Sequence, residues 1–280
     1  MVPQGEVAKE VEINGVRLEY IEQGSGEPIV FVHGGVQDLR AWEPVREAVA
    51  KRYRFIAYTQ RYFGTKPWPD DGKNFSIATH ADDLAKFINA LNAGPVHLVG
   101  WSHGGVVAAT AAISDPSSVR SIILYEASMI SVLPAGSPEG KIAREDLAKM
   151  AGPFVAVAQA GNFLKAAKLL VEGVYQLPPG GFDSLPEDWQ TGLLDNARVV
   201  PLLLTAPSAI TCDMLKHFTR PTLVMQGEKT LEWYALISEA ITKCVPGAQQ
   251  VILPNVNHDG PCRNPAAFTA AVFEFLSRSL

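Results

Sequence analysis

A serine stands in the middle of a glycine-rich hexapeptide, residues 100–105, with the sequence Gly-Trp-Ser-His-Gly-Gly. An apolar run over 95–99 precedes it and a run of small residues over 106–113 follows it, which predicts a strand, a sharp turn and a helix. In such a turn the flanking glycines let strand and helix approach closely enough to hold Ser102 in a strained conformation, beside the free N–H groups of a helix start. The pattern predicts a nucleophile, and a glycine-rich turn with a solvated serine is the simpler alternative.

A serine hydroxyl is a weak nucleophile at neutral pH, so the chemistry requires a base that takes its proton and a third group that orients the base. In open sheets of parallel strands, ligands bind outside the carboxyl ends of the strands. The groups to consider therefore follow the predicted strands directly. They are residues 33–35, Ser102, Glu126, Glu228 and His258 with its neighbours.

Strand and helix patterns alternate along most of the chain, which predicts an α/β fold with a mostly parallel central sheet and helices on both faces. An edge hairpin is expected over 10–20, because apolar and polar residues alternate on both sides of Asn14-Gly15. The further predicted strands are 29–32, 53–58, 95–99, 119–125, 222–226 and 249–253, and the predicted helices are 39–50, 76–92, 231–243 and 265–277.

The alternation is interrupted from Ser128 to about Arg220, where the sequence holds only helical stretches, at 139–150, 153–160, 162–175 and 186–197. We interpret this part as an inserted helical cap. The expected domains are a core made of residues 1–127 and 221–280, and a cap made of residues 128–220.

The composition limits the class of function. The 280 residues are 47% hydrophobic and 19% charged, enough to bury a large core, and the net charge is −5 with scattered basic residues. This pattern argues against nucleic acid or a membrane surface as a partner and favours a small-molecule substrate. The N-terminus lacks the pattern of a secretory signal, so the expected location is cytoplasmic.

Cysteine and histidine usage leads to two further expectations. Cys212, Cys244 and Cys262 are odd in number and widely spaced, so we expect ordinary thiols in a reducing compartment. The six histidines show no spacing typical of metal ligands, so neither a metal nor a cofactor is expected.

Along essentially its whole length the chain resembles the α/β-hydrolase family. The resemblance lies in His33-Gly34-Gly35 after the third strand, the turn at 100–105 and His258 after the last strand, in the order serine, acid, histidine. It implies that Ser102 is the nucleophile and His258 the general base. It also implies that the backbone N–H groups of Gly35 and His103 form the oxyanion hole.

The acid departs from the commonest family pattern. Most relatives carry an aspartate about three residues after a glycine that follows the seventh strand, and Thr230 occupies that place here. Some relatives carry the acid after the sixth strand, where this chain has Glu126. A carboxylate at the end of a buried strand needs a partner that offsets its desolvation, and a protonated His258 would be one. We predict Glu126 as the acid, with Glu228 and Glu232 as alternatives.

Aromatic residues beside the nucleophile, in loops or in the cap are candidates for the substrate pocket: Trp101, Phe63, Trp68 and Trp189, with Tyr234 as a further member of an aromatic wall. Ordinary packing is the alternative for each of them. Asp259 adjoins the base, but neighbouring residues in an extended loop usually point apart, so we expect a structural role there.

The expected function is a cofactor-independent serine hydrolase that acts on an ester, thioester or lactone of a small to medium, uncharged substrate. Ser102 stands where dehalogenases and epoxide hydrolases of the family carry an aspartate, which disfavours those reactions. The alternatives are carbon–carbon bond hydrolysis of a ring-cleavage product, or another family chemistry on the same residues, and a ligand receptor built on a hydrolase fold. The sequence leaves the oligomeric state open.

Overall fold

One eight-stranded sheet runs through the protein, whose computed structural model describes residues 8–278. Its strands are β1 Lys9–Ile13, β2 Val16–Gln23, β3 Pro28–Val32, β4 Arg54–Tyr58, β5 Val96–Trp101, β6 Val119–Tyr125, β7 Thr222–Gly227 and β8 Gln249–Leu253. They are arranged in the order β1-β2-β4-β3-β5-β6-β7-β8. Strands β1 and β2 pair antiparallel, β2 pairs antiparallel with β4, and all other neighbours are parallel.

The predicted edge hairpin is present. Asn14 and Gly15 both have positive φ, 50° and 74°, as the two-residue turn that joins twisted antiparallel strands requires. The central strands β3, β5 and β7 are buried along their whole length, which explains why their sequences are continuous apolar runs without alternation. The predicted α/β fold class with a mostly parallel sheet is confirmed.

The helices follow the strands in the expected alternation. They are α1 Glu43–Ala50, α2 Ile77–Ala90, α3 His103–Ser114, α4 Pro138–Gln159, α5 Phe163–Val174, α6 Glu187–Leu194, α7 Val200–Leu203, α8 Cys212–Leu215, α9 Glu232–Cys244, α10 Gly260–Arg263 and α11 Pro265–Arg278. Short 3-10 helices cover Leu39–Trp42, Pro116–Ser118, Ile130–Val132, Gly181–Ser184 and Ala197–Val199. Helices α2 and α3 pack together, as do α1 and α11.

Between β6 and β7 the described chain contains helices only, as predicted, but α4 differs from the expectation of two helices separated near Pro153. It runs unbroken through that proline. Gly152 and Pro153 are exposed, so the carbonyl group that loses its helical partner can bond to water. Packing of α4 against α5 and α9 stabilises both of its halves.

The prediction that all three cysteines are free thiols is wrong for two of them. Cys212 in α8 and Cys244 at the end of α9 form a disulfide, with their Cα atoms 5.2 Å apart, so they are not free thiols. The two residues are 32 positions apart in the sequence, and only the packing of α8 against α9 brings them together. Cys262 is a free thiol, as expected, and its burial raises the pKa of its thiol group.

Among residues 8–278, no helix combines the length and the apolar character that a membrane span requires.

Candidate active site

Ser102 lies at a strained turn between β5 and α3. Its φ and ψ angles are 55° and −119°, a conformation that residues other than glycine rarely adopt. The turn is held by hydrogen bonds from Ser102 N–H to the Tyr125 carbonyl at 3.0 Å and from Ser128 N–H to the Ser102 carbonyl at 3.2 Å. The side chain is therefore presented at the carboxyl end of the central strands.

The glycine at position 104 allows this turn to form. A Cβ atom on Gly104 would lie 2.3 Å from the carbonyl oxygens of both Val32 and His33, closer than any side chain permits. The start of α3 therefore packs directly on the end of β3. This contact places the first N–H groups of the helix next to the loop that contains Gly34 and Gly35.

His258 and Glu126 form a buried pair. The His258 Nδ1 atom lies 2.6 Å from Glu126 Oε2, and the carboxyl group is fully buried. The second oxygen, Oε1, accepts a hydrogen bond of 2.8 Å from Gly227 N–H at the end of β7. Glu126 itself has a positive φ of 42°, a strained conformation that directs its side chain away from the course of β6.

The other candidate acids lie elsewhere. Glu228 and Glu232 are exposed, and Glu228 accepts a hydrogen bond from Asn255 N–H at 2.9 Å. Thr230 holds the position where the commonest family pattern has its acid, and Gly227, three residues earlier, supplies a backbone donor to Glu126. Among the three glutamates it is Glu126 that the fold places against His258.

Tyr234, in the first turn of α9, separates the serine from the histidine. Its hydroxyl oxygen lies 3.3 Å from Ser102 Oγ and 3.2 Å from His258 Nε2. Ser102 Oγ also lies 3.1 Å from the Ser128 hydroxyl. Within the described chain, the contact from Ser102 to His258 runs through the tyrosine hydroxyl and is not direct. From the sequence, Tyr234 was predicted only as part of an aromatic wall of the substrate pocket.

Ser102 opens into a cavity of about 330 Å³. The residues that line it next to the serine include Gly34, Gly35, His103 and His258. The backbones of Gly35 and His103, which are expected to form the oxyanion hole, therefore lie beside Ser102. Helices α4 and α5 cover the cavity with apolar side chains, among them Leu147, Met150, Phe154, Leu170, Val171 and Val174. None of the described residues that line it is Asp, Glu, Lys or Arg.

Two of the four aromatic residues expected in the pocket are core residues. Trp101 is 1% exposed and packs against Trp42, with ring centroids 5.7 Å apart. Phe63 packs edge-on to His33 at 4.8 Å. Neither lines the cavity that contains Ser102, which corrects the expectation.

The other two line separate hollows. Trp68 donates a hydrogen bond to the Tyr62 carbonyl at 2.5 Å and lies under Arg198 on the far side of the loop that follows β4. Trp189 borders a hollow of about 480 Å³ that excludes Ser102 and His258. Trp68 lies in the long loop after β4 and Trp189 in α6, and the sequence pattern does not predict where either side chain is placed.

Three further histidines, His33, His80 and His103, lie on the other side of Ser102 among aromatic rings. Burial lowers the pKa of His33 to about 4 and of His103 to about 3, and it places the pKa of His80 well below its ordinary value. Across residues 8–278, no group of three or more His, Cys, Asp or Glu side chains is arranged to hold a metal ion. Asp259, beside the base, pairs with Arg263 at 2.9 Å, a structural contact.

Comparison with known proteins places the chain among hydrolases. It is 26% identical over 90% of its length to a 2-(acetamidomethylene)succinate hydrolase of Mesorhizobium japonicum, of which it covers 88%. It is 25% identical over 95% of its length to the serine hydrolase BPHL of Mus musculus, of which it covers 85%. A thermophilic esterase from Thermogutta terrifontis shares the fold with a TM-score of 0.74 and 24% identity, over 97% of this chain and 99% of that one.

The family profile described as alpha/beta hydrolase fold matches residues 27–260, from the start of β3 to the loop that carries His258. The match covers the serine turn, the buried glutamate and the histidine in their order along the chain. The chain therefore belongs to the α/β-hydrolase fold family and is an enzyme of the hydrolase type.

Proposed function

We propose that the protein is a serine hydrolase that cleaves an ester, thioester or lactone of a small to medium, uncharged substrate through an acyl-enzyme on Ser102. The observation that carries the proposal is the strained Ser102 in a mostly apolar cavity, on the same edge of the sheet as the buried His258–Glu126 pair. A strained serine beside a histidine and a carboxylate is the arrangement that acyl transfer requires.

In the proposed reaction, Ser102 Oγ attacks the carbonyl carbon while its proton passes to His258. Glu126 stabilises the resulting imidazolium through the 2.6 Å contact, and the N–H groups of Gly35 and His103 bind the oxyanion. Collapse of the tetrahedral intermediate expels the leaving group, which takes the proton from His258. Water then attacks the acyl-enzyme by the same steps, and the acid is released with Ser102 restored.

The cavity supports a neutral substrate. Its described lining has no positively charged side chain that would balance a carboxylate, and burial of an unpaired charge costs several kcal/mol or more. The substrate named for the Mesorhizobium relative contains a succinate, a dicarboxylate, which this lining does not suit. The volume of about 330 Å³ is at the small end of ligand pockets.

We further propose that residues 1–127 and 221–280 form the catalytic core and that residues 128–220 form a cap. The side chains from α4 and α5 that cover the cavity support this division, because they would shield the acyl-enzyme from bulk water. A cytoplasmic location stays a prediction. The Cys212–Cys244 disulfide removes the part of that argument that rested on free thiols, since disulfides persist mainly in oxidising compartments.

The test is turnover of p-nitrophenyl butyrate and of neutral lactones by the wild type, the Ser102→Ala variant and a Ser208→Ala control. Ser208 also borders the cavity, but its hydroxyl pairs with Ser131 and not with the proposed machinery. We expect Ser102→Ala to lower kcat by at least about 10³-fold and Ser208→Ala to change it less than about threefold. Labelling of the wild type by a fluorophosphonate, followed by intact mass, should add one phosphonate at Ser102.

Two other results would each support one of the alternative functions. Turnover of ring-cleavage diketones without turnover of esters would assign carbon–carbon bond hydrolysis to Ser102. Saturable ligand binding with neither turnover nor labelling of Ser102 would assign a receptor and overturn the hydrolase proposal.

A further inference from the structure

We propose that Gln37 is a positioning residue that shapes the oxyanion hole. Its side chain occupies the N–H group of Gly34 and leaves the next N–H group, that of Gly35, available to a substrate oxygen. The inference rests on the proposed serine chemistry and adds to it a residue that acts through the backbone. It starts from one hydrogen bond of 2.9 Å, which Gly34 N–H donates to Gln37 Oε1.

The turn that contains these residues, 34–37, lies directly against the nucleophile. A Cβ atom on Gly34 would lie 3.4 Å from Ser102 Cβ and 2.8 Å from Gln37 Oε1. Gly35 lines the same cavity as Ser102, and no described residue accepts a hydrogen bond from its N–H group. Of two consecutive backbone donors beside the serine, Gln37 therefore takes one and leaves the other free. A free, fixed backbone donor is what an oxyanion hole supplies.

Val36, inside the same turn, shows that this backbone geometry needs support. Its φ of 47° lies in the left-handed region, which a β-branched residue rarely adopts, and the residue is buried. Such strain persists only where surrounding contacts hold the backbone in place. The Gln37 side chain supplies one of these contacts, because it spans the turn and bonds back to Gly34. Without this bond we expect the turn to relax and the Gly35 N–H group to move relative to Ser102.

The glutamine amide is held from both of its ends. Gly34 N–H can only donate, so the amide atom that faces it is the oxygen. The amide nitrogen then faces the Tyr175 hydroxyl, to which it donates a hydrogen bond of 3.3 Å. Gln37 is 7% exposed and Tyr175 is 4% exposed, so water competes little for these bonds. The orientation of the amide is therefore set by the protein.

Tyr175 connects this turn to the loop that carries the base. Its carbonyl group accepts a hydrogen bond of 2.6 Å from Asn257 Nδ2, and Asn257 directly precedes His258. The Tyr175 ring also lies near the His258 imidazole, with centroids 6.3 Å apart. Contacts thus run from the oxyanion turn through Gln37 and Tyr175 to the histidine. These contacts help to keep the base and the oxyanion donor at a fixed separation.

The main experiment compares Gln37→Met with Gln190→Met in the hydrolysis of p-nitrophenyl butyrate. Methionine is similar in length to glutamine, but its thioether is a weak acceptor for Gly34 N–H. Gln190 in α6 also bonds to the backbone, at 2.8 Å from the Leu185 carbonyl, and lies outside the cavity. We expect Gln37→Met to lower kcat by about 10- to 100-fold with KM changed less than about threefold, because a misplaced donor weakens transition-state binding. Gln190→Met should retain wild-type kcat.

A pair of inhibitors separates oxyanion binding from packing. A trifluoromethyl ketone with a propyl chain adds to a catalytic serine as a tetrahedral oxyanion, whereas the corresponding alcohol fills the same space without forming one. In Gln37→Met, the inhibition constant of the ketone should rise by about the factor by which kcat/KM falls, and that of the alcohol should change less than about twofold. A glutamine that only fills the cavity wall would affect both inhibitors equally.

Tyr175→Phe tests the second contact of the glutamine. It keeps the ring near His258 and removes the hydroxyl group that accepts the Gln37 hydrogen bond. We expect the same selective loss of ketone affinity, but smaller, about three- to fivefold, because the bond to Gly34 remains. In the double variant with Gln37→Met, the two losses should combine to less than their product, since both act on one turn.

The outcomes are distinguishable from failure of the proposed function. A wild type that neither turns over esters nor labels at Ser102 overturns both proposals. An active, Ser102-dependent wild type together with a Gln37→Met variant whose kcat stays within about threefold overturns the positioning role alone, as does an equal loss of affinity for both inhibitors. If Gln37→Met fails to fold, Tyr175→Phe decides with the same two inhibitors, and an unchanged affinity for the ketone overturns the positioning role.

Discussion

Two buried groups of side chains flank Ser102 and differ in what surrounds their histidines. One is the histidine–glutamate group, made of Tyr234, His258 and Glu126. The other is the histidine cluster, made of His33, His80 and His103. Both are almost completely buried, and both adjoin the same turn. In the histidine–glutamate group the imidazole bonds to a carboxylate, whereas the rings of the histidine cluster mostly contact other rings.

The partners of the histidine cluster suit neutral imidazoles. His33 accepts a hydrogen bond from Gln60 N–H at 3.1 Å, and His103 Nε2 lies 3.4 Å from His80 Nδ1. His103 stacks on Phe75 with ring centroids 5.9 Å apart. In this setting burial lowers the pKa of all three histidines.

The comparison indicates which of these buried histidines is suited to act as a base. A buried imidazolium needs a negative partner that offsets its desolvation. His258 has such a partner in Glu126 at 2.6 Å, and the cluster histidines bond to backbone groups, an amide and one another. The same residue type can therefore serve proton transfer on one side of Ser102 and packing on the other.

The largest expected effect on kcat comes from replacing a histidine by glutamine, and the same substitution is made in each of the two groups. His258→Gln removes the proton acceptor and should lower kcat for p-nitrophenyl butyrate by about 10⁴-fold or more. His80→Gln makes the same change in the cluster and should leave kcat within about threefold of wild type. Steady-state kinetics of the two purified variants measure both values. Equal losses in the two would show that the groups are not functionally distinct.

A smaller but still large effect is expected from the carboxylate. Glu126→Gln keeps the shape of the buried side chain but removes the charge that stabilises the imidazolium, and it should lower kcat by about 10³-fold. Glu228→Gln, an exposed glutamate one residue beyond β7, is the matched control and should retain activity. An inactive Glu228→Gln with an active Glu126→Gln would mean that the acid has been assigned to the wrong strand end.

The smallest expected effect concerns stability on the cluster side. The cluster histidines have lower pKa values folded than the ordinary unfolded value of about 6.5, so the unfolded chain binds more protons as the pH falls. Their contribution to the free energy of unfolding is complete above about pH 6.5 and is lost as the pH falls towards about 3. Stability should therefore decrease from neutral to acid pH.

The variant His80→Gln isolates one of these groups. Between about pH 7 and pH 5, its free energy of unfolding should fall less steeply than that of the wild type, because the variant lacks an imidazole that burial keeps neutral. Urea unfolding followed by fluorescence at the two pH values gives the difference. Parallel pH profiles for variant and wild type would contradict a neutral, buried His80.

Much of the framework could be predicted from the sequence because it depends on local patterns. Continuous apolar runs predicted the central strands, and the glycines around Ser102 predicted the strained turn that the structure contains. The position of Glu126 could be inferred because it directly follows a buried strand. Since parallel strands end at one edge of the sheet, residues directly after them converge without any knowledge of packing.

The parts that were missed depend on how helices and loops are rotated and packed. Tyr234 lies seven residues beyond β7, and its hydroxyl reaches the site only because α9 starts with this face towards His258. Its place in the first turn of a helix after a strand end was the available signal. Trp68 and Trp189 lie in a loop and a cap helix whose paths no local pattern predicts, and the pairing of Cys212 with Cys244 depends on α8 packing against α9.

That disulfide gives α9 a mechanical role. The 13-residue helix is about 20 Å long, with Tyr234 in its first turn and a covalent anchor at its last residue. Closure of a loop of this size typically contributes about 2–4 kcal/mol to stability. A reductant releases the anchored end while leaving every residue of the site unchanged. The thiol content of the assay buffer therefore determines whether the measured enzyme has a helix fixed at both ends or at one.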